Sequence, residues 1–232
     1  MLTIRPMCGE ATMVGIVPRR ESTGPSRPDP ERSAREASRR AAIQVRRFVA
    51  EHKLTRMWTL TLRDETLPED RPGVVLKLQQ FLRRVRLEIP HIVWLAVLEW
   101  HPGGHGWHIH MVVDKFVPKP QIQEMWRHGF VDVRRISVKG DSSSRQAVSK
   151  AASYIAKYVS KPAPDGAPAH VPGDHRYYRP LGLSLTELTA EGSYEEMVAL
   201  AWQYFPAGVG WIWHSSMADN WRAPPVLVMR SA

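Results

Sequence analysis

Cysteine is almost absent from this chain of 232 residues, which holds only Cys8. One thiol forms no internal disulfide and no cysteine cage for zinc, so disulfide scaffolds and zinc fingers are excluded, and a reducing compartment suits the chain. Long apolar runs are missing too. No stretch approaches the roughly 18–20 consecutive apolar residues of a membrane span, and Met1 to Pro18 lacks the apolar block of a signal peptide. The expectation is a protein of its host cell's cytoplasm, with no membrane partner. Gly-x-x-x-x-Gly-Lys-[Ser/Thr] occurs nowhere, so no P-loop cradles nucleotide phosphates. Acids are outnumbered, 23 against 32 Lys and Arg, leaving a formal net charge of +9. That balance suits a polyanionic partner, although charge alone names no chemistry. Otherwise the composition is ordinary, 43% hydrophobic and 24% charged, enough for one sizeable core with appendages.

The positive charge is unevenly spread. Between Pro18 and Arg56, ten arginines and one lysine face five acids. Pro18, Pro25, Pro28 and Pro30 break regular structure there, which predicts a flexible basic leader over 1–32, outside the fold. From Ser33 to Leu54, Ala34, Ala37, Ala41, Val45, Phe48 and Val49 recur at helical spacing with Arg35, Arg39, Arg46 and Arg47 on other faces. The arginines are either a solvated face or phosphate contacts, with Arg46 and Arg47 as DNA-binding candidates.

Met57 to Leu62 alternates as a strand. Val74, Val75, Leu78, Phe81, Leu82 and Val85 share a helical face that Pro90 ends. Ile92 to Trp100 and Trp107 to Val113, joined by glycines, read as a hairpin; a short helix to Arg127, a strand from Phe130 to Val138 and a helix from Arg145 to Val159 follow. The fold class is therefore α+β, a central antiparallel β-sheet flanked by helices, over a domain 33–184. Ser193 with Glu196 caps a further helix before a Trp- and Pro-rich tail, and 185–232 is expected to pack on the same domain.

The strand from Trp107 carries His108 and His110, two apart and so on one face, while Ile109 and Met111 face a core. Glu99, across the turn, comes beside them in a hairpin. Two imidazoles and a carboxylate leave coordination positions open, as a Mg²⁺ or Mn²⁺ that holds a phosphate oxygen requires. The alternatives are an ordinary strand-end carboxylate at Glu99, or His101 or His105 of the turn in its place. On the last helix of that domain Tyr154 and Tyr158 are four apart, and Lys157 and Lys161 repeat the offset. Tyrosines at this spacing pack cores; beside cations they also serve as nucleophiles, because a phenol of pKa about 10 needs a nearby positive charge to ionise.

Thr59-Leu60-Thr61-Leu62, Glu99, His108-Ile109-His110 and Tyr154-x-x-Lys157-Tyr158-x-x-Lys161, in that order, resemble the HUH endonuclease superfamily. Within it, the similarity is to rolling-circle replication initiators of single-stranded DNA phages and small plasmids, over Arg56 to Lys161. The resemblance implies His108, His110 and Glu99 as ligands of Mg²⁺ or Mn²⁺, and Tyr154 and Tyr158 as paired nucleophiles that nick origin DNA. It implies Lys157 and Lys161 as steadiers of phosphate charge, and Thr59 and Thr61 as a first motif that is structural or places DNA. The product would be a 5′-phosphotyrosine and a 3′-hydroxyl for a polymerase. The substrate is then single-stranded or locally melted DNA, gripped by Arg46, Arg47 and the cluster Arg83, Arg84 and Arg86. Arg134 and Arg135 are either further phosphate contacts or a solvated strand edge. Without a P-loop such an initiator depends on a host helicase. The second tyrosine departs from single-nucleophile HUH transposases, where glutamine follows the tyrosine by four. A non-catalytic origin-binding repressor explains the charge but not the histidines, tyrosines and lysines together.

Overall fold

The computed structural model describes residues 1–15, 29–63, 70–101, 106–141, 144–161, 174–205, 207–219, 221 and 223–231. In chain order the elements are β1 (Leu2–Arg5), β2 (Glu10–Val14), α1 (Pro30–Glu51), β3 (Arg56–Leu62), α2 (Arg71–Glu88), β4 (Trp94–Trp100), β5 (Trp107–Val113), α3 (Lys119–Trp126), β6 (Gly129–Arg135), α4 (Arg145–Ser160), β7 (Leu188–Ala190), α5 (Tyr194–Gln203), β8 (Val209–His214) and β9 (Val226–Ser231). The strands make two antiparallel sheets, so the fold is α+β. No helix among the described residues is long and apolar enough to cross a membrane.

The chain divides into two compact units, of which Asp29–Leu183 is the larger. Its helices start where side chains satisfy the first free amides. Asp29 accepts from the Glu31 and Arg32 amides at 3.0 and 3.3 Å, Asp70 from Gly73 at 2.9 Å, and Ser144 from Ala147 at 3.2 Å. Each such cap contributes about 1 kcal/mol. The sheet order is β4-β5-β3-β6. On one face Trp58, Leu60, Ile109, Met111 and Val131 form an apolar core with Val74, Leu78, Phe81, Leu82 and Val85 of α2 and Ile122, Met125 and Trp126 of α3. On the other, Met57, Leu95, Val97 and Val112 pack against Ala42, Val45, Phe48 and Val49 of α1 and Ala151, Ala152, Ile155, Ala156 and Val159 of α4. The α1 stripe is rotated from its expected position: Ala42 is buried, and Ala34 in the exposed first turns is not.

One close approach fixes where β6 meets β3. Gly129 has φ 156°, and a Cβ there would lie 2.0 Å from the Thr61 carbonyl oxygen, so no side chain fits.

The second unit comprises Met1–Pro28 and Ser184–Ala232. Its sheet runs β7-β1-β2-β9-β8, with Leu2, Ile4, Ala11, Met13, Leu227 and Met229 buried under Met197, Ala201 and Phe205 of α5 and its end. The leader expected over 1–32 is therefore not all leader. Leu2, Ile4, Ala11 and Met13 alternate in and out as strand residues do, and each strand finds partners about 180 residues away or more, in β7 and β9. Residues 16–28, where the expected leader's prolines concentrate, lie outside the described residues. By the same pairing, 185–232 builds its sheet with the first fourteen residues rather than extending the sheet of the larger unit. The Ser193–Glu196 capping box is formed, and Trp213 and Trp221 pack on each other with centroids 5.5 Å apart.

Candidate functional site

The site grows from the alternation of β5. Trp107, Ile109, Met111 and Val113 enter the core shared with α2 and α3, which leaves His108 and His110 on the α1 and α4 face. Antiparallel register then sets their neighbours. His110 lies opposite Thr59 and Val97, and His108 opposite Thr61 and Glu99. The two imidazole centroids are 6.3 Å apart.

His110 is 5% exposed and held on three sides. Its Nε2 donates to Glu99 Oε2 at 2.7 Å, which leaves Nδ1 to accept from the Thr59 hydroxyl at 3.3 Å. Over its face lies the Tyr158 ring, with centroids 3.9 Å apart and planes 22° from parallel. The other Glu99 oxygen accepts from Lys161 Nζ at 2.6 Å. Burial alone would raise the pKa of Glu99, but the hydrogen bonds and positive charges of His110 and Lys161 outweigh it and bring the carboxyl down to about 2.

α4 crosses above, packed on β4 and β5. Tyr154 and Tyr158 are neighbours on it, and the Tyr158 hydroxyl donates to the Tyr154 oxygen at 3.0 Å. Tyr158 is half-buried, and its phenol is pushed well above the ordinary value by that burial, by its hydrogen bond to Tyr154 and by the negative charges nearby. Tyr154 is the more open, at 36% exposure.

His108, His110, Glu99, Thr59, Thr61, Tyr154, Tyr158 and Lys161 are thus gathered on one face of the sheet. Lys157 is exposed on α4, while Lys161 holds Glu99. His101 stacks on His108 with centroids 5.0 Å apart; His105 lies outside the described residues. The donor set of two imidazoles and an ionised carboxylate has the chemistry of a divalent-cation site. Among the described residues, however, no group of three is closed around a common point.

The arginine cluster falls elsewhere. α2 packs on the opposite sheet face, where Arg83 and Arg86 are exposed. Arg84 donates to the carbonyls of Met125 at 2.5 Å and Trp126 at 3.3 Å, so it caps α3 instead of reaching for phosphate. Arg46 is exposed and Arg47 half-buried on α1, beside α4. Arg134 does reach the site. The register puts Phe130, Asp132 and Arg134 of β6 on the histidine face, and Arg134 Nε donates to Asp132 at 2.8 Å. That bond and carboxylate, then the phenols of Tyr154 and Tyr158, raise the pKa of its guanidinium. Asp132 and Phe130 have no motif to mark them; only the register reveals them.

Residues 55–163 match the family model of the replication-associated protein ORF2. The matched span runs from just before β3 to just after α4 and includes every residue gathered above. The match is to replication-associated proteins and supports a role for this chain in DNA replication. No curated protein and no solved structure matches the chain.

Proposed function

We propose that the chain is an HUH-type rolling-circle replication initiator that nicks single-stranded origin DNA in the host cytoplasm and rejoins the strands. The observation that carries this reading is the meeting of three motifs far apart in sequence: Tyr158 lies on His110, and Glu99 joins His110 to Lys161. DNA binding alone requires no such arrangement.

Tyr154 is the first nucleophile in this reading. It is the more accessible phenol, and Tyr158 already donates to its oxygen, so that bond strengthens as Tyr154 becomes phenolate. The Tyr154 proton leaves to water. Its oxygen forms a bond to the phosphorus, the bond to the 3′-oxygen breaks, and that oxygen takes a proton to become the primer hydroxyl. The bond energy is kept in the phosphotyrosine for rejoining. Arg134, within electrostatic reach of both phenols, offsets charge at the attacked phosphate. Tyr158 serves as the second nucleophile after a round of synthesis.

A Mg²⁺ or Mn²⁺ ion would be held by His108, His110 and Glu99 and would polarise the phosphate. Taking Nε2 of His110 for this purpose moves its proton, and Thr59 suits either tautomer because a hydroxyl both donates and accepts. Lys161 keeps Glu99 ionised. Unwinding and synthesis fall to a host helicase and polymerase.

The test is a denaturing gel of labelled single-stranded origin DNA with Mn²⁺ or EDTA. The expected result is a covalent protein–DNA band that needs the ion, is strongly reduced in Tyr154→Phe and is absent from Tyr154→Phe/Tyr158→Phe. Salt-sensitive binding with no adduct from any strand would replace this reading by an origin-binding repressor.

A further inference from the structure

We infer that the exposed face of β6 is the track that positions the substrate strand, with Phe130 stacking a base and Arg134 holding a phosphate. The inference rests on the nuclease reading above and deepens it by naming what the edge of the sheet does.

A single exposed phenylalanine on a protein surface needs no explanation. Phe130 differs in its position. It is 61% exposed on the edge strand, in the cross-strand row Phe130, Thr61, His108 and Glu99, so its ring extends the floor on which the two histidines stand. α4 packs on β4 and β5, at the other side of that floor. The β6 side chains on this face, Phe130, Asp132 and Arg134, are all exposed, whereas Val131 and Val133 between them turn into or against the core. A strip of solvent-facing sheet therefore adjoins the tyrosines.

The chemistry of the strip fits single-stranded DNA. The Arg63 guanidinium lies over the Phe130 ring, 5.2 Å from its centroid, a pairing that strengthens aromatic platforms for bases. Arg134, four residues further along the strand and so about 13 Å away by strand rise, is held by Asp132 at 2.8 Å on the side of the tyrosines. A base on Phe130 and a phosphate at Arg134 would hold a strand against the sheet with its backbone toward Tyr154. A duplex keeps its bases stacked on each other and offers no such face, so the substrate class is unpaired DNA. Asp132 is a positioning residue, since it acts through Arg134.

The probes are two fluorescent strands without bound metal, a 20-mer of thymidylate and a 20-mer of abasic deoxyribose phosphate, read by anisotropy with the full chain. Phe130→Ala should weaken thymidylate binding about tenfold, leave the abasic strand unchanged, and be rescued by Phe130→Trp. Arg134→Ala should weaken both strands and lower the salt slope by about one. Equal binding of thymidylate by wild type and Phe130→Ala overturns the base site, as does an equal loss for both strands that tryptophan does not rescue. An unchanged salt slope in Arg134→Ala overturns the phosphate site. Either failure leaves the nuclease reading intact if the tyrosine-dependent adduct still forms. Absence of that adduct sinks the nuclease reading, and this inference with it, whatever the strands bind.

Discussion

The two faces of the four-stranded sheet are made from the same strands and do different work. Toward α2 and α3, every side chain is apolar, from Trp58 and Leu60 to Ile109 and Met111. Toward α1 and α4, the rows pass from apolar Leu95, Val97, Met57 and Val112 into Thr59, His110, Glu99 and His108. One face supplies the packing that makes the other rigid. A sheet with a polar cluster on one side needs the opposite side to be fully apolar, because burial is the dominant stabilising term.

The sharpest way to break that comparison is to change adjacent residues that point to opposite faces. Ile109 is fully buried, and Ile109→Ala should destabilise by about 2–5 kcal/mol, seen as a lower urea midpoint. His108→Ala should stay within about 0.5 kcal/mol of wild type while reducing adduct formation to background. Similar midpoints for the two variants would mean that the faces are not specialised in this way.

Between them in size is Gly129→Ala. Its Cβ would lie 2.0 Å from the Thr61 carbonyl oxygen and 2.8 Å from the Arg63 amide, both backbone atoms that move only with β3 itself. A loss of about 2–3 kcal/mol is expected, of the size that overpacking and backbone strain produce, and with it a slower nick, because Thr61 adjoins His108. Unaltered thermal melting would show that β3 and β6 meet more loosely than this geometry requires.

Much of this was legible in the sequence. Period-two alternation marks β3 and β5, helical stripes mark α1, α2 and α4, and His108-Ile109-His110 marks its own face because alternation alone decides it. Glu99 was readable because a hairpin sets its partner. Three kinds of information were not. Arg84 looks like part of a basic patch, yet its role as the cap of α3 depends on how two helices pack. The use of 1–14 as strands depends on pairing with residues near the other end of the chain, which no local signal carries. Phe130 and Arg134 required knowing that β6 lies beside β3 and in which register.

The two arginine groups sharpen the comparison further, with effects near 1 kcal/mol. Arg84→Met leaves carbonyls of α3 without their donor, so it should lower stability by about 1 kcal/mol and leave single-strand affinity unchanged. Arg46→Ala, on the exposed side of α1, should do the reverse: unchanged melting, weaker binding and a salt slope smaller by about one. Melting curves and salt titrations of both variants separate the two faces without any nicking assay.

The smallest effect expected is one of pH, on the metal-free protein. Glu99 is held at about 2 by His110 and Lys161, below the ordinary 4.5 of a free carboxyl. A group whose folded pKa is depressed stabilises the fold above its unfolded pKa, and that contribution disappears as pH falls through the folded value. The Glu99 contribution is therefore whole above about pH 4.5 and is lost between there and about pH 2. Glu99→Gln lacks it at every pH. Melting temperatures of wild type and Glu99→Gln in EDTA should thus differ most near pH 6 and converge by pH 2.5. A constant gap would locate the effect of the variant in packing beside Tyr158 and not in the ion pair to Lys161. That result would also remove the reason for assigning Lys161, and not the exposed Lys157, the task of keeping Glu99 ionised.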